Sequence, residues 1–150
     1  MTITSTAFQN NGQIPGKYTC DGKNVNPPLT FSAVLEETQS LVLIVSDPDA
    51  LSSKPFVHWL LYNIPSAILQ ILEDEVPPNS ALGTTDFGKT GYGGPCPPSG
   101  THRYFFELFA VDMILDIPEG VNREEVEKAM EGHVLESSEL MGIYKKGGDM

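Results

Sequence analysis

Three short clusters in this 150-residue chain carry side chains able to do acid–base or anion chemistry. Asp47-Pro48-Asp49 closes one apolar run with two carboxylates. His58 lies inside a second apolar run, next to Trp59. His102-Arg103-Tyr104 joins a Gly/Pro-rich stretch to a third. Each has an ordinary structural explanation when taken alone. Asp favours turns, and Asp-Pro starts them. A lone histidine in an apolar strand is commonly a hydrogen-bonded core residue, Arg103 can pair with a carboxylate, and Tyr104 can pack. Strand alternation places His58 with Leu60 and Tyr62, and Trp59 with Val57 and Leu61. The third histidine, His133, falls on the apolar stripe of a late helix and reads as structural.

Taken together, the clusters describe a binding chemistry. Imidazoles, a tyrosine hydroxyl and glycine N–H groups hydrogen-bond an anion such as phosphate. Carboxylates favour an ammonium group, and an Asp also accepts from a protonated phosphate oxygen. The mixed set suits a small zwitterion or a phosphomonoester better than a bare polyanion. Asp47, Asp49, His58, His102 and Cys96 are acceptable metal ligands. No HExxH or CxxC spacing supports that use. There is no GxSxG, and GYGGPCPPSG (91–100) lacks the Lys-Ser/Thr ending of a phosphate loop. Catalytic residues, a metal and a cofactor are therefore not assigned. A hydrolase with Asp47 or Asp49 as base and a histidine as acid remains the enzymatic alternative.

The elements that must position these groups are mostly strands. Leu41 to Ser46 is short, continuous and β-branched-rich, which suits a strand buried on both faces. Val57 to Ile64 is a second such run, closed by Pro65. Arg103 to Val111 is a third, apolar on both alternating faces and so central. Ile3 to Phe8 and Leu29 to Ala33 are weaker strands. Short strands, turn signals and few helices predict a mostly β fold of sandwich type. The one clear helix begins at Asn122, with Glu125 completing a capping-box pattern and a stripe through Val126, Ala129, Met130, His133 and Val134. Gly132 weakens it, 136–141 reads as a further short turn, and 145–150 as a fraying tail. Between them, 77–101 holds six Gly and five Pro in 25 residues. A loop of that length inside a compact domain is usually functional or disordered, and disorder is the weaker reading because Phe87, Tyr92 and Cys96 lie within it and it runs into the strongest strand.

Composition bounds the rest. One domain spans 1–150, with 40% hydrophobic and 19% charged residues. Nine basic and 20 acidic residues leave a formal charge of −11. That excludes a basic footprint for nucleic acid and electrostatic adhesion to an anionic bilayer. No apolar run reaches membrane-span length, and 1–12 lacks signal-peptide character, so a cytoplasmic protein without integral membrane association is expected. Cys20 and Cys96 allow one disulfide, and a cytoplasmic location argues against it.

Four motifs in series then resemble the phosphatidylethanolamine-binding protein family, in its bacterial and archaeal Raf-kinase-inhibitor-like (YbhB/YbcL) branch. They are YTCDG (18–22) with NPPL (26–29), DPDA (47–50), HWLLYNIP (58–65) and TDFGKTGYGGPCPPSGTHRY (85–104). The resemblance implies a large antiparallel sheet packed on a smaller one, with one or two short C-terminal helices. It implies an anion pocket at one sheet end built by Asp47, Asp49, His58, Gly94, Pro95, His102 and Tyr104. It implies a non-enzymatic protein that binds a phosphate-bearing small ligand and regulates a kinase or protease, with inhibition through the Gly/Pro loop as an alternative. Leu51 replaces the usual Pro after DPDA, Asn26 a usual Ser and Phe31 a usual Trp. The sequence leaves the oligomeric state open, a homodimer among the options.

Overall fold

The structure, a computed structural model, describes residues 1–147. Among these residues nine strands and one α-helix follow in chain order, with a single 3-10 turn at Gly16–Tyr18. They are β1 (Thr2–Thr4), β2 (Gly12–Gln13), β3 (Leu29–Ser32), β4 (Ser40–Asp47), β5 (Phe56–Pro65), β6 (Gln70–Ile71), β7 (Ala81–Leu82), β8 (Thr101–Val111), α1 (Arg123–Met130) and β9 (Val134–Lys145). They form a three-stranded sheet, β1-β3-β6, and a six-stranded sheet, β2-β9-β8-β4-β5-β7. All pairings are antiparallel except β2 beside β9.

The apolar runs explain the layering. Every residue of β4 is buried, because both its faces are covered. Leu41, Leu43 and Val45 meet Phe31, Leu61 and Phe106 between the two sheets. On the other face Val42 and Ile44 meet Leu60, Tyr62, Val126 and Met130, where α1 lies. At roughly 1.5–3 kcal/mol for each large apolar side chain taken out of water, these two layers dominate the stability of the fold. Asn122 caps α1, its side-chain oxygen accepting from Glu125 N at 3.0 Å.

The C-terminal part differs from the sequence reading. The helix stops at Met130, Gly132 adopts φ +80°, and 134–145 is a long strand where a short turn was expected at 136–141. Only Leu140, Gly142 and Tyr144 of β9 turn fully inward. The run VLESSE (134–139) is polar after Leu135 and no residue in it is fully buried, Glu136 and Ser138 being half-buried, so apolar alternation is invisible there, and pairing with β8 makes the strand. His133 lies past the helix end and its Nδ1–H donates to Asp112 at 2.8 Å. The tail is described to Gly147, and 148–150 lie outside the described residues. The 77–101 stretch holds β7 and one isolated bridge, Thr84 to Thr90. No helix among the described residues is long and apolar enough to cross a membrane.

The cysteines also correct an expectation. Cys20 and Cys96 form a disulfide. The 92–96 segment runs beside 18–24, with Tyr92 OH donating to Tyr18 O, Gly94 N to the Asn24 side-chain oxygen and Cys20 N to Pro95 O. That docking brings the two Cα atoms to 5.4 Å, within bridging range. Composition could not reveal it, because the partners are 76 residues apart.

Candidate functional site

The three sequence clusters meet at one end of the large sheet, on neighbouring strands. β5 carries His58, β4 ends in Asp47, and β8 begins with His102 and Tyr104; β4 lies between the other two. The His58 ring lies edge-on 5.2 Å from the Tyr104 ring, and the His102 ring stacks 6.4 Å from Tyr104. A cavity of about 190 Å³ opens over them. Its lining includes Asp47, His58, His102 and Tyr104 as the polar groups, with Phe56, Phe87, Leu51 and the Cys96–Pro98 turn as apolar walls.

A β-bulge aims His58. Trp59 pairs with Val45 and Val57 with Ser46, leaving His58 as the extra residue. Simple alternation would have grouped Val57 with Trp59 and sent His58 to the Leu60 and Tyr62 side. The bulge instead leaves Val57 in the helix-side layer, Trp59 in the inter-sheet layer and His58 facing Tyr104. The Gly/Pro stretch takes up the backbone groups so freed: Gly93 N donates to His58 O, Asp86 N to Val57 O, and Val57 N to the Asp86 carboxylate.

Both imidazoles have fixed tautomers. His58 Nδ1–H donates to Gly93 O at 2.7 Å, since a carbonyl can only accept. His102 Nδ1–H donates to Asp47 Oδ2 at 2.6 Å. With Nδ1–H committed in each ring, Nε2 is the nitrogen left to meet a ligand. Burial holds His58 below the usual histidine pKa, opposed by the Gly93 carbonyl and the charge of Asp47. The Tyr104 hydroxyl is buried and has no hydrogen-bond partner within 3.5 Å among the described residues, the Asp47 carboxylate being the nearby acceptor that draws on it weakly. Its ionisation is pushed well up, first by burial and then by the charges of Asp47 and Asp49, so it stays a neutral donor.

The other expected site residues lie around this cavity and outside its lining. Asp49 is locked on Arg103: Oδ2 accepts from Arg103 N and Nε, and Oδ1 from Nη2, each at 2.9 Å. The guanidinium pulls the Asp49 carboxyl down to about 2. Asp47 Oδ1 accepts from Asp49 N at 2.7 Å, which shapes the DPDA turn. Gly94 and Pro95 are buried behind the wall, and the N–H groups of Gly93 and Gly94 are engaged within the protein. At Gly94 a Cβ would fall 2.2 Å from Tyr18 O, so only glycine permits this close docking. Phe56, Phe87 and the Cys96–Pro98 turn were missed as lining. Phe56 borders the His58 run and could have been found from it; Phe87 depends on the return of the loop, which leaves no local signal.

A larger cleft of about 640 Å³ lies beside α1 and shares Phe56. Its lining charges are largely paired, Lys54 with Glu124 and Arg123 with Glu127, and it holds no imidazole. The unpartnered chemistry is in the smaller cavity.

Comparisons with known proteins agree over nearly the whole chain. The family model described as phosphatidylethanolamine-binding protein matches residues 4–145. A UPF0098 protein of Methanothermobacter thermautotrophicus is 47% identical over 98% of this chain and 100% of its own length. One from Aquifex aeolicus is 45% identical over 97% and 89%. A crystal structure of a phosphatidylethanolamine-binding protein homologue from Chlamydia trachomatis superposes with a TM-score of 0.92 at 40% identity, covering 96% of each chain. That of E. coli YbcL gives 0.89 at 28%, covering 96% of this chain and 97% of the other.

Proposed function

The chain belongs to the phosphatidylethanolamine-binding protein family, and from that premise we propose that it is a non-enzymatic binding protein whose small cavity captures a phosphate-bearing ligand. The observation that carries this reading is the buried Tyr104 hydroxyl, which has no hydrogen-bond partner within 3.5 Å among the described residues and packs against two imidazoles whose Nδ1–H groups are already committed. An orphaned buried donor costs roughly 1–3 kcal/mol unless something accepts from it. A phosphoryl oxygen would accept from Tyr104 and from each imidazole once charged. Asp47 holds the His102 ring in place through Nδ1–H. At about 190 Å³ the cavity is smaller than the roughly 300–1,000 Å³ of sites for drug-sized molecules. It suits a head group, with the remainder of the ligand resting on Phe56, Phe87 and Leu51 at the mouth.

Regulation of a kinase or protease partner, with the outer face of the Gly/Pro loop as the docking surface, is the wider role proposed for this scaffold. The bridge between Cys20 and Cys96 is most at home in an oxidising compartment or in the disulfide-tolerant cytosol of hyperthermophiles.

Thermal unfolding with phosphate or phosphoethanolamine tests the reading. A ligand at a hundred times its Kd stabilises the native state by about 2.7 kcal/mol. His102→Ala is expected to abolish that protection. Tyr104→Phe is expected to melt at the same temperature or higher without ligand, because it removes an unsatisfied group, yet to bind phosphate about tenfold more weakly. Wild-type protein that melts identically with and without saturating ligand would refute the proposal. Turnover of a phosphomonoester panel, lost in His58→Ala, would favour the hydrolase instead.

A further inference from the structure

The wall of the cavity opposite the histidines is held unusually. Upstream of Cys96 the Gly/Pro stretch is fastened by hydrogen bonds: Tyr92 OH to Tyr18 O at 2.8 Å, Gly93 N to His58 O at 3.0 Å, Gly94 N to Asn24 Oδ1 at 2.8 Å, and Cys20 N to Pro95 O at 3.1 Å. Downstream, strand pairing resumes at Thr101, opposite Lys145. Between these points Cys96, Pro97, Pro98, Ser99 and Gly100 make no hydrogen bond among the described residues. Pro97 and Pro98 have no N–H to give. The segment is fastened by packing of Pro97, which is buried, and by the disulfide. Cys96, Pro97 and Pro98 all line the cavity, and His102 follows shortly after. Both Cys20 and Cys96 are exposed. The bridge thus joins two residues at the surface, and exposed bridges are the labile class.

We infer that the Cys20–Cys96 pair is a thiol–disulfide exchange site that sets the anion affinity of the cavity, the closed bridge fixing the Cys96–Pro98 wall and its opening releasing that wall. The inference rests on the phosphate-binding reading above. The reductant is a dithiol. Its thiolate attacks one Sγ, breaking the Cys20–Cys96 bond and forming a mixed disulfide. Its second thiol then displaces the remaining cysteine. Two electrons and two protons pass to the protein, which ends with two thiols, and the dithiol ends as a disulfide. The hydrogen bonds at Tyr92, Gly93, Gly94 and Cys20 do not depend on the bridge, so opening is local: the floor of the site stays in place while one wall is freed. A ligand must then order that wall on binding, which lowers affinity.

The test uses the whole chain, oxidised, dithiol-reduced and as Cys20→Ser/Cys96→Ser, with inorganic phosphate as probe. Three quantities are read: phosphate Kd from the imidazole proton signals, backbone amide order parameters across 93–101, and circular dichroism. Reduction is expected to leave the circular dichroism unchanged, lower the order parameters at Cys96, Ser99 and Gly100, and weaken phosphate binding about fivefold or more. The double variant should match the reduced protein with or without dithiol, and reoxidation should restore the wild-type affinity. Equal phosphate affinity in the oxidised and reduced forms overturns this inference and leaves the binding function standing. Global unfolding on reduction also overturns it, since the bridge would then be a staple for the whole fold. Oxidised protein that does not bind phosphate removes the binding function, and the inference with it.

Discussion

His58 is buried, and burial holds its pKa below the ordinary 6.5. As pH falls through 6.5 the unfolded chain takes up a proton that the folded chain refuses, so unliganded protein loses stability on acidification through this residue. An anion beside Nε2 reverses the preference, because it favours the charged ring. Binding should therefore be coupled to proton uptake by the protein. Sulfate, which does not titrate near neutrality, isolates the effect. Its binding heat, measured at pH 7 in buffers of different ionisation enthalpy, should reveal net proton uptake, and its affinity should rise as pH falls from 8 to 6. His58→Asn keeps a donor for Gly93 O but cannot titrate, so it should show less uptake and a flatter profile. Equal proton uptake in wild type and variant would place the charge elsewhere. At this scale the sequence was informative about Asp47, His58, His102 and Tyr104, whose types stand out against apolar runs. It was silent on where Asp49 points, because the Arg103 that captures it belongs to another strand.

Strands and turns decide which of those side chains meet. The β5 bulge is the instructive case: Val57 to Ile64 was readable as a strand, yet one extra residue at His58 reverses the face expected from alternation. Bulges leave no reliable mark in composition, since they are set by the register of both partners. β9 was unreadable for a related reason, its first half being polar after Leu135 with no residue fully buried. The Gly/Pro stretch was legible as an ordered segment, and Gly94 shows how tightly it docks. A Cβ there would press against the Tyr18 carbonyl and the Asn24 side chain, which are backbone and a hydrogen-bonded amide. Gly94→Ala should destabilise the protein by about 1–3 kcal/mol, as overpacking does. It should also weaken phosphate binding by displacing Gly93, on which the His58 tautomer depends. Denaturant unfolding and a phosphate titration read the two effects separately, and wild-type values in both would show that the 18–24 segment yields freely.

For the whole molecule, the bridge acts on more than one wall of the cavity. The chain between Cys20 and Cys96 contains β3 and β6 of the small sheet and β4, β5 and β7 of the large one. Closing it ties together, in the unfolded ensemble, segments that must find each other across both layers. A cross-link spanning 76 residues removes loop-closure entropy from the unfolded state, and stabilisation of about 2–5 kcal/mol is the size such bridges contribute. Two well-filled apolar layers remain when it opens. The reduced chain should therefore stay folded at room temperature while its unfolding free energy, extrapolated from urea titration, falls by that amount, and the Cys20→Ser/Cys96→Ser variant should unfold at the same midpoint as the reduced protein. A loss under about 1 kcal/mol would mean that the unfolded chain is already compact around these segments, with little entropy left for the bridge to remove.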